Sequence, residues 1–300
     1  MATERAATAA ALGPALALTF NALVWGVSWW PFRWLQDRGL HPLWATALIY
    51  ALAVGVITLT RPQAWSELLR RRALWVLVFA SGATNAAFNW GVTIGDVVRV
   101  VLLFYLMPLW AVLLARLVLR EGLTRMAMLR VAMALAGAIV VLWPAGAALA
   151  WHSLPLPRNL PEWLGVLGGF TFALNNVMLK REAAQSESAR ALAMFVGGCL
   201  VALVVALGLA AQGRISAPPA LDWPWVTGAL AMGVFFLASN LALQYGAARL
   251  PANVTAVVMI TEVLFASVSA VLLGAGQLTP ALAVGGALIV AASLLAARRG

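Results

Sequence analysis

Long apolar runs separated by short polar turns are the feature that most constrains this chain. Ten such runs fill most of its 300 residues. Each is close to the roughly 20 helical residues that cross a hydrocarbon core about 30 Å thick. The runs show no strand-like alternation, and backbone groups in lipid must be hydrogen-bonded within the protein. The sequence therefore predicts an all-α integral membrane protein with ten transmembrane helices, at 12–34, 43–59, 73–93, 97–119, 127–143, 163–179, 191–211, 223–245, 252–274 and 281–297.

The composition agrees with a lipid environment. Apolar residues make up 63% of the chain and charged residues 10%, against about 25% charged in an ordinary soluble domain. The net charge of +10 comes from bases placed in short turns rather than in one stripe, so a nucleic-acid partner is not expected. Cys199 is the single cysteine, which excludes an internal disulfide and a thiolate metal cluster.

The basic residues also predict the orientation of the chain. With ten spans the two termini share a side, and the turns on that side hold 15 of the 20 basic residues. The positive-inside rule therefore places both termini in the cytoplasm. The first apolar run is too long for a signal-peptide core and is interpreted as a retained helix.

An internal repeat appears when the chain is compared with itself at an offset of 155 residues. Each half then holds five spans, and an odd number forces the halves to face opposite ways. The prediction is two inverted five-helix repeats, 1–150 and 151–300, forming one transport domain around a central cavity near the midplane. The matching positions are Asn85 with Asn240, Asn89 with Gln244, Trp90 with Tyr245, Gly91 with Gly246, and Leu123-Thr124 with Leu278-Thr279.

Several short motifs follow one another along the chain: Trp25-Gly26 with Ser28, Tyr105 to Pro108, Leu119 to Thr124, Glu262, and Gly286 to Ile289. With these motifs the chain resembles the drug/metabolite transporter superfamily, and within it the EamA-type exporters, over nearly its whole length. It departs from the family pattern at Val263, where a proline is usual, and at Gly276, where a glutamate is expected.

Within that family the chain is most similar to YddG-type amino-acid exporters. The resemblance implies export of aromatic and other neutral amino acids across the bacterial inner membrane. It also implies a central cavity lined by spans 1, 3, 4, 6, 8 and 9.

Glu262 is the one carboxylate in the middle of a predicted span. A charged group there costs about 3 kcal/mol on insertion scales, so it should face the protein interior. It is a candidate for binding a substrate amine or for proton coupling. The alternative is a structural hydrogen bond to Ser267, Ser269 or a neighbouring helix.

Carboxamides form a second group of candidates. Asn85 and Asn89, and likewise Asn240 and Gln244, are four residues apart and share a helix face. Asn175 lies in span 6. These amides either bind a polar solute or link helices, as amides do in membrane bundles.

Aromatic residues and prolines complete the candidates. Trp25, Trp29 and Tyr105 lie beside the family motifs and are suited to stacking on planar or cationic solutes. Pro31 and Pro108 each free a backbone carbonyl, which creates either a hinge or a simple packing kink.

No feature predicts an enzyme. His41 and His152 lie at span ends, and no HExxH, Walker A or dinucleotide motif is present, so no cofactor or metal is expected. The sequence predicts a monomeric secondary transporter that works by alternating access on a small organic solute, with membrane lipid as its surroundings. A drug or cation exporter and a channel-like facilitator on the same fold stay as alternatives.

Overall fold

Every regular element in the described part of the chain is a helix. The computed structural model describes residues 2–120, 125–142, 157–182, 184–247, 249, 258 and 261–297. A π-helical turn, Ala115–Leu119, extends the seventh helix. The helices are α1 (Ala2–Val27), α2 (Trp29–Gln36), α3 (Pro42–Thr60), α4 (Gln63–Arg70), α5 (Arg72–Ile94), α6 (Val97–Phe104), α7 (Met107–Leu114), α8 (Arg125–Leu142), α9 (Leu160–Arg181), α10 (Glu187–Ala211), α11 (Trp223–Ala247), α12 (Thr261–Leu272) and α13 (Pro280–Ala297).

Helices cover the described parts of all ten predicted spans, and the short helix α4 was not predicted. Several of these helices are long and apolar enough to cross a membrane. By length and composition, five stretches of the described residues qualify. The all-helical membrane fold is therefore supported, while ten crossings and an inverted repeat stay predictions. The five stretches are Leu12–Gln36, Pro42–Thr60, Val97–Leu119, Glu187–Ala211 and Trp223–Leu243.

Helices α5 and α9 fall outside these five although each exceeds 20 residues. Each contains two asparagines, which lower its mean hydropathy. Part of their polar surface is bonded between the two helices, because Thr84 Oγ1 donates to Thr171 Oγ1 of α9 at 2.9 Å. Helices packed among other helices tolerate such residues because protein, rather than lipid, surrounds them.

Two predicted spans are broken near their prolines. The first is interrupted at Ser28 between α1 and α2, and Pro31 lacks the N–H that would bond the carbonyl of Val27. The fourth is interrupted at Tyr105 and Leu106, just before Pro108. The side chain of Pro108 lies outside the described residues. Both predicted kinks thus coincide with a break, and a hinge role for either proline stays a prediction.

The connections gather at the two ends of the bundle. At one end Trp44 Nε1 donates to the carbonyl of Ser216 at 3.0 Å, and Arg99 Nε lies 2.7 Å from Glu162 Oε1. At the other end Ser186 Oγ donates to Glu67 Oε2 at 2.9 Å. These ends are called the Arg99 end and the Glu67 end below.

Helices from the two predicted halves are interleaved. Helix α5 packs on α9 and α10, and α1 packs on α11 and α12. A close backbone approach joins α5 to α10, because a Cβ on Gly197 would lie 2.9 Å from the carbonyl carbon of Val78 and 3.0 Å from the backbone nitrogen of Gly82. The halves therefore share one core. The predicted boundary at 150/151 lies outside the described residues.

Candidate functional site

A cluster of aromatic rings lies where five helices meet. Trp25 of α1 packs edge-on against Phe236 of α11 at 4.7 Å between centroids, and Phe88 of α5 lies 6.3 Å away. Phe88 contacts Phe104 of α6 at 4.9 Å, which in turn contacts Phe172 of α9 at 5.3 Å. Such aromatic contacts favour fixed ring positions. These five residues are called the aromatic cluster.

Glu262 and Tyr105 meet beside the aromatic cluster. Tyr105 lies at the break between α6 and α7, with its ring 5.9 Å from that of Phe104. Its hydroxyl donates to Glu262 Oε2 of α12 at 3.4 Å, which is long for an O–H···O bond. Both side chains are buried, and no base among the described residues pairs with Glu262. The carboxyl group therefore keeps its capacity to bind a proton or a cation.

Helix α1 reaches Glu262 because of a glycine. A Cβ on Gly26 would lie 2.8 Å from the carbonyl oxygen of Glu262 and 3.0 Å from the backbone nitrogen of Ala266. The small residue after Trp25 thus brings α1 against α12. With α12 included, the elements that meet here correspond to spans 1, 3, 4, 6, 8 and 9, which the family resemblance names as a cavity lining. A solute cavity at this point stays a prediction.

Trp29 connects the site to the Arg99 end. Its indole Nε1 donates to Ser269 Oγ of α12 at 3.0 Å, and the Arg33 guanidinium lies 5.0 Å from the centre of its ring. Arg33 Nε donates to the carbonyl of Thr93 at 2.9 Å, and its Nη2 also bonds the carbonyl of Gly95. Arg33 thereby satisfies free carbonyl groups at the C-terminus of α5.

Asn85 and Asn89 are bonded toward α3 rather than toward the aromatic cluster. Tyr50 OH donates to Asn85 Oδ1 at 2.5 Å, and Asn85 Nδ2 donates to the Ser81 carbonyl at 2.8 Å. Asn89 Nδ2 donates to Thr46 Oγ1 at 3.1 Å. The observed bonds are those of helix linkage. Asn89 Oδ1 has no hydrogen-bond partner among the described residues, and a solute-binding role for this pair stays a prediction.

The remaining candidate amides lie on α9 and α11. Asn175 is buried on α9, one turn after Phe172, and its Oδ1 has no hydrogen-bond partner among the described residues. Asn240 is half-buried on α11. The side chain of Gln244 lies outside the described residues.

A polar pair that the sequence analysis missed links α1 to α11. Asn21 Nδ2 donates to Ser239 Oγ at 2.7 Å and to the Ser239 carbonyl at 2.9 Å. Both residues are buried. Asn21 precedes Trp25 by four residues and so shares its helix face, and this spacing is the signal that identifies it.

An open cleft of about 230 Å³ lies at the Arg99 end, away from Glu262. No group of three or more His, Cys, Asp and Glu side chains suited to a metal ion occurs among the described residues. The cleft is lined by Trp29, Trp30, Arg33, Trp34, Asp37, Leu273, Gly274 and Ala275.

Part of the chain matches one known protein family. Residues 12–143 match the EamA-like transporter family. This segment contains the membrane part of α1 and continues through α8. The match covers less than half of the chain, and this segment is similar to membrane transporters of that family. No curated protein matches the chain.

Comparison with solved structures concerns the fold. Fifteen chains match, and one of them is a crystal structure described only as that of a protein. It covers 95% of this chain and 98% of its own length, with a TM-score of 0.57 and 19% sequence identity. At that identity the similarity shows the fold alone, and it extends over both predicted halves.

Proposed function

We propose that this chain is a secondary transporter that exports small organic solutes, foremost aromatic and other neutral amino acids. The observation that carries the proposal is the buried carboxyl group of Glu262. It has Tyr105 as its hydrogen-bond partner and stands beside the aromatic cluster at a broken helix. The family match of residues 12–143 supports a transporter of this kind.

The chemistry of the site suits an amine-bearing solute. A carboxylate that leaves water gains from a cationic partner, and a solute ammonium supplies one. The rings of the aromatic cluster offer faces and edges to a planar side chain. Helix α7 begins two residues after Tyr105, and amide groups at a helix N-terminus favour a solute carboxylate. An aromatic amino acid carries all three groups: an ammonium, a planar side chain and a carboxylate.

Alternating access is the proposed mechanism. An offset of 155 residues aligns Glu262 with Met107, two residues after Tyr105, so Tyr105 and Glu262 lie within two residues of corresponding positions in the two predicted repeats. Rocking of one repeat against the other would open Glu262 to each side in turn. Proton exchange at Glu262 would couple export to the proton gradient, and without it the protein is a facilitator.

A specific observation favours a second candidate, an exporter of organic cations. Among the described residues no basic side chain forms a cation–π contact with the aromatic cluster or an ion pair with Glu262. Aromatic rings with one carboxylate are typical of cation recognition. Such a protein would use the same pair of residues without needing a partner for a solute carboxylate.

The proposed setting is the bacterial inner membrane, with both termini in the cytoplasm and the chain acting as a monomer. Five spans in each inverted half place the termini on one side. The interleaved core already joins α1 to α11 and α12 within one chain. A second copy is therefore not needed to complete the site.

Flux measurements with purified protein in liposomes test the proposal. The panel holds an aromatic amino acid, an aliphatic amino acid, a cationic drug and a nucleotide sugar, each with and without a pH gradient. Saturable amino-acid flux is the expected result. Saturable flux of the drug alone would select the second candidate, and unsaturable leak of every solute would contradict a carrier.

A further inference from the structure

Four arginines surround the short helix α4 at the Glu67 end. Arg61 precedes the helix, Arg70 ends it, and Arg71 and Arg72 follow. All four are exposed, and among the described residues no acidic side chain forms an ion pair with any of them. This arginine group is a concentrated positive patch without a described counter-charge.

Helix α4 is fixed against the bundle by its inner face. Ala64 and Leu68 are fully buried in a core formed with α5 and α10. Trp65 Nε1 donates to Thr58 Oγ1 at 2.9 Å. Glu67, the only acid on α4, accepts from Ser186 Oγ at 2.9 Å and is turned toward α10. The arginine group therefore stands on a firmly held element.

An exposed apolar stripe begins directly beside the arginine group. Trp75, Val76 and Phe79 of α5 are 43%, 42% and 58% exposed. They follow Arg72 by three, four and seven residues, so all four side chains share one helix face. Leu69 of α4, which is 63% exposed, adds to the apolar surface near Arg70.

We propose that the arginine group and this stripe form a binding site for an anionic phospholipid. Arginine forms paired hydrogen bonds with phosphate oxygens, and several arginines together favour a headgroup with net negative charge. The acyl chains would lie along Trp75 and Phe79, one to two helical turns below Arg72.

The combination distinguishes this site from a topology signal. Retention of a loop in the cytoplasm requires only positive charge near a span end. It does not require that an arginine share a helix face with exposed aromatic side chains, or that the neighbouring acid be bonded elsewhere. The proposal is independent of which solute the protein carries.

Lipid binding to the intact, detergent-purified chain tests the proposal. Native mass spectrometry would count bound phosphatidylglycerol and phosphatidylcholine over a titration of each. We expect phosphatidylglycerol to bind more tightly to the wild type and to lose affinity as ionic strength rises. The triple variant Arg70→Gln, Arg71→Gln, Arg72→Gln should weaken phosphatidylglycerol binding about tenfold or more.

The matched control removes three exposed arginines from the Arg99 end, as Arg38→Gln, Arg158→Gln, Arg214→Gln. Its phosphatidylglycerol affinity should stay within about twofold of wild type. Equal losses in the two triple variants would contradict a localised site, as would equal wild-type binding of the two lipids.

The variant Arg70→Lys, Arg71→Lys, Arg72→Lys keeps the charge and guards against a folding defect in the glutamine variant. It should retain most of the preference for phosphatidylglycerol. A folded lysine variant without any lipid preference would show that charge complementarity is not the basis of binding. The comparison of phosphatidylglycerol with phosphatidylcholine on the wild type does not depend on whether the glutamine variant folds.

Discussion

At the scale of single residues, the contact between Tyr105 and Glu262 has the properties of a site that changes during function. The donor–acceptor distance of 3.4 Å leaves room for a stronger partner, and the two residues come from different predicted halves. A bound ammonium or a proton would replace or shorten this bond. The pair would then report on which solute, and which protonation state, occupies the site.

Removal of the Glu262 charge should reduce transport. We expect Glu262→Gln to lower the initial rate of solute flux in liposomes about tenfold or more, because hydrogen bonds to charged groups contribute about 1.5–3 kcal/mol. Tyr105→Phe should also lower the initial rate of solute flux, by a smaller factor. The exposed Asp222→Asn serves as the control. Flux that is unchanged in Glu262→Gln would remove this residue from the site.

His41 provides a test of stability against pH. Its Nδ1 accepts a hydrogen bond from the backbone nitrogen of Leu43 at 3.2 Å, which caps α3. Burial lowers the pKa of the imidazole below its usual value of 6.5. Proton uptake therefore favours the unfolded state, so this stability is full above about pH 6.5 and is lost as pH falls below it.

The variant His41→Asn isolates this effect, since asparagine caps a helix without titrating in this range. Thermal unfolding in detergent at pH 7.5 and 5.5 should show a larger decrease in Tm for the wild type than for the variant. Equal decreases would mean that other groups cause the acid sensitivity.

At this scale the sequence indicated which residues are candidates for the site better than it indicated which residues they contact. Glu262 stands out because it is the one carboxylate inside a predicted span. The four-residue spacing of Asn85 and Asn89 correctly gave them a common face, but spacing does not reveal which helix lies opposite. Their partners, Tyr50 and Thr46, come from α3 and become visible only when the helices are packed.

At the scale of helices, glycine sets how closely α5 and α10 approach. A Cβ on Gly197 would lie 2.9 Å from the carbonyl carbon of Val78, so alanine does not fit without movement of the backbone. On the same helix, Gly208 has nothing within 4 Å of its hypothetical Cβ. The two positions form a matched pair for mutation.

Gly197→Ala should lower the free energy of unfolding by about 1–3 kcal/mol through overpacking. Gly208→Ala should be neutral or slightly stabilising, because alanine is the better helix former by up to about 1 kcal/mol. Thermal unfolding of both variants in one detergent compares them. A Gly197→Ala protein as stable as Gly208→Ala would contradict the close approach of the two helices.

Helix positions could be predicted because apolar run length is a direct consequence of membrane thickness. The breaks followed from Pro31 and Pro108, which cannot donate a backbone hydrogen bond. Helix α4 could not be predicted in this way. Its eight residues fall in a polar gap, and its stability comes from burial of Ala64 and Leu68 against other helices.

At the scale of the whole molecule, the two ends of the bundle should face opposite sides of the membrane. Single cysteines at Ser66 and Ala217, in a Cys199→Ser background, mark the Glu67 end and the Arg99 end respectively. In intact spheroplasts a membrane-impermeant maleimide should label Ala217→Cys at once, whereas Ser66→Cys should need permeabilisation. Labelling of both without permeabilisation would contradict the alternating topology.

The general architecture was accessible from the sequence, whereas the interleaving of the halves was not. A repeat offset pairs positions along the chain but leaves open whether the repeats form separate lobes. The structure packs α5 of the first predicted half between α9 and α10 of the second. Such an arrangement depends on side-chain fit across helices, which one sequence read by itself does not specify.

The direct backbone contact at Gly82 and Gly197 also bears on how fast the protein changes conformation. Side chains that interdigitate must leave their grooves and switch rotamers before one helix slides along another. Here the two backbones meet at the glycines, but side chains surround the contact: Val201 lies against Gly82, and Val78 and Val196 belong to one buried core. The bond from Ser81 Oγ to the Met194 carbonyl at 3.1 Å adds a specific restraint. We therefore expect sliding of α5 along α10 to be slow, because these side chains must first leave their positions.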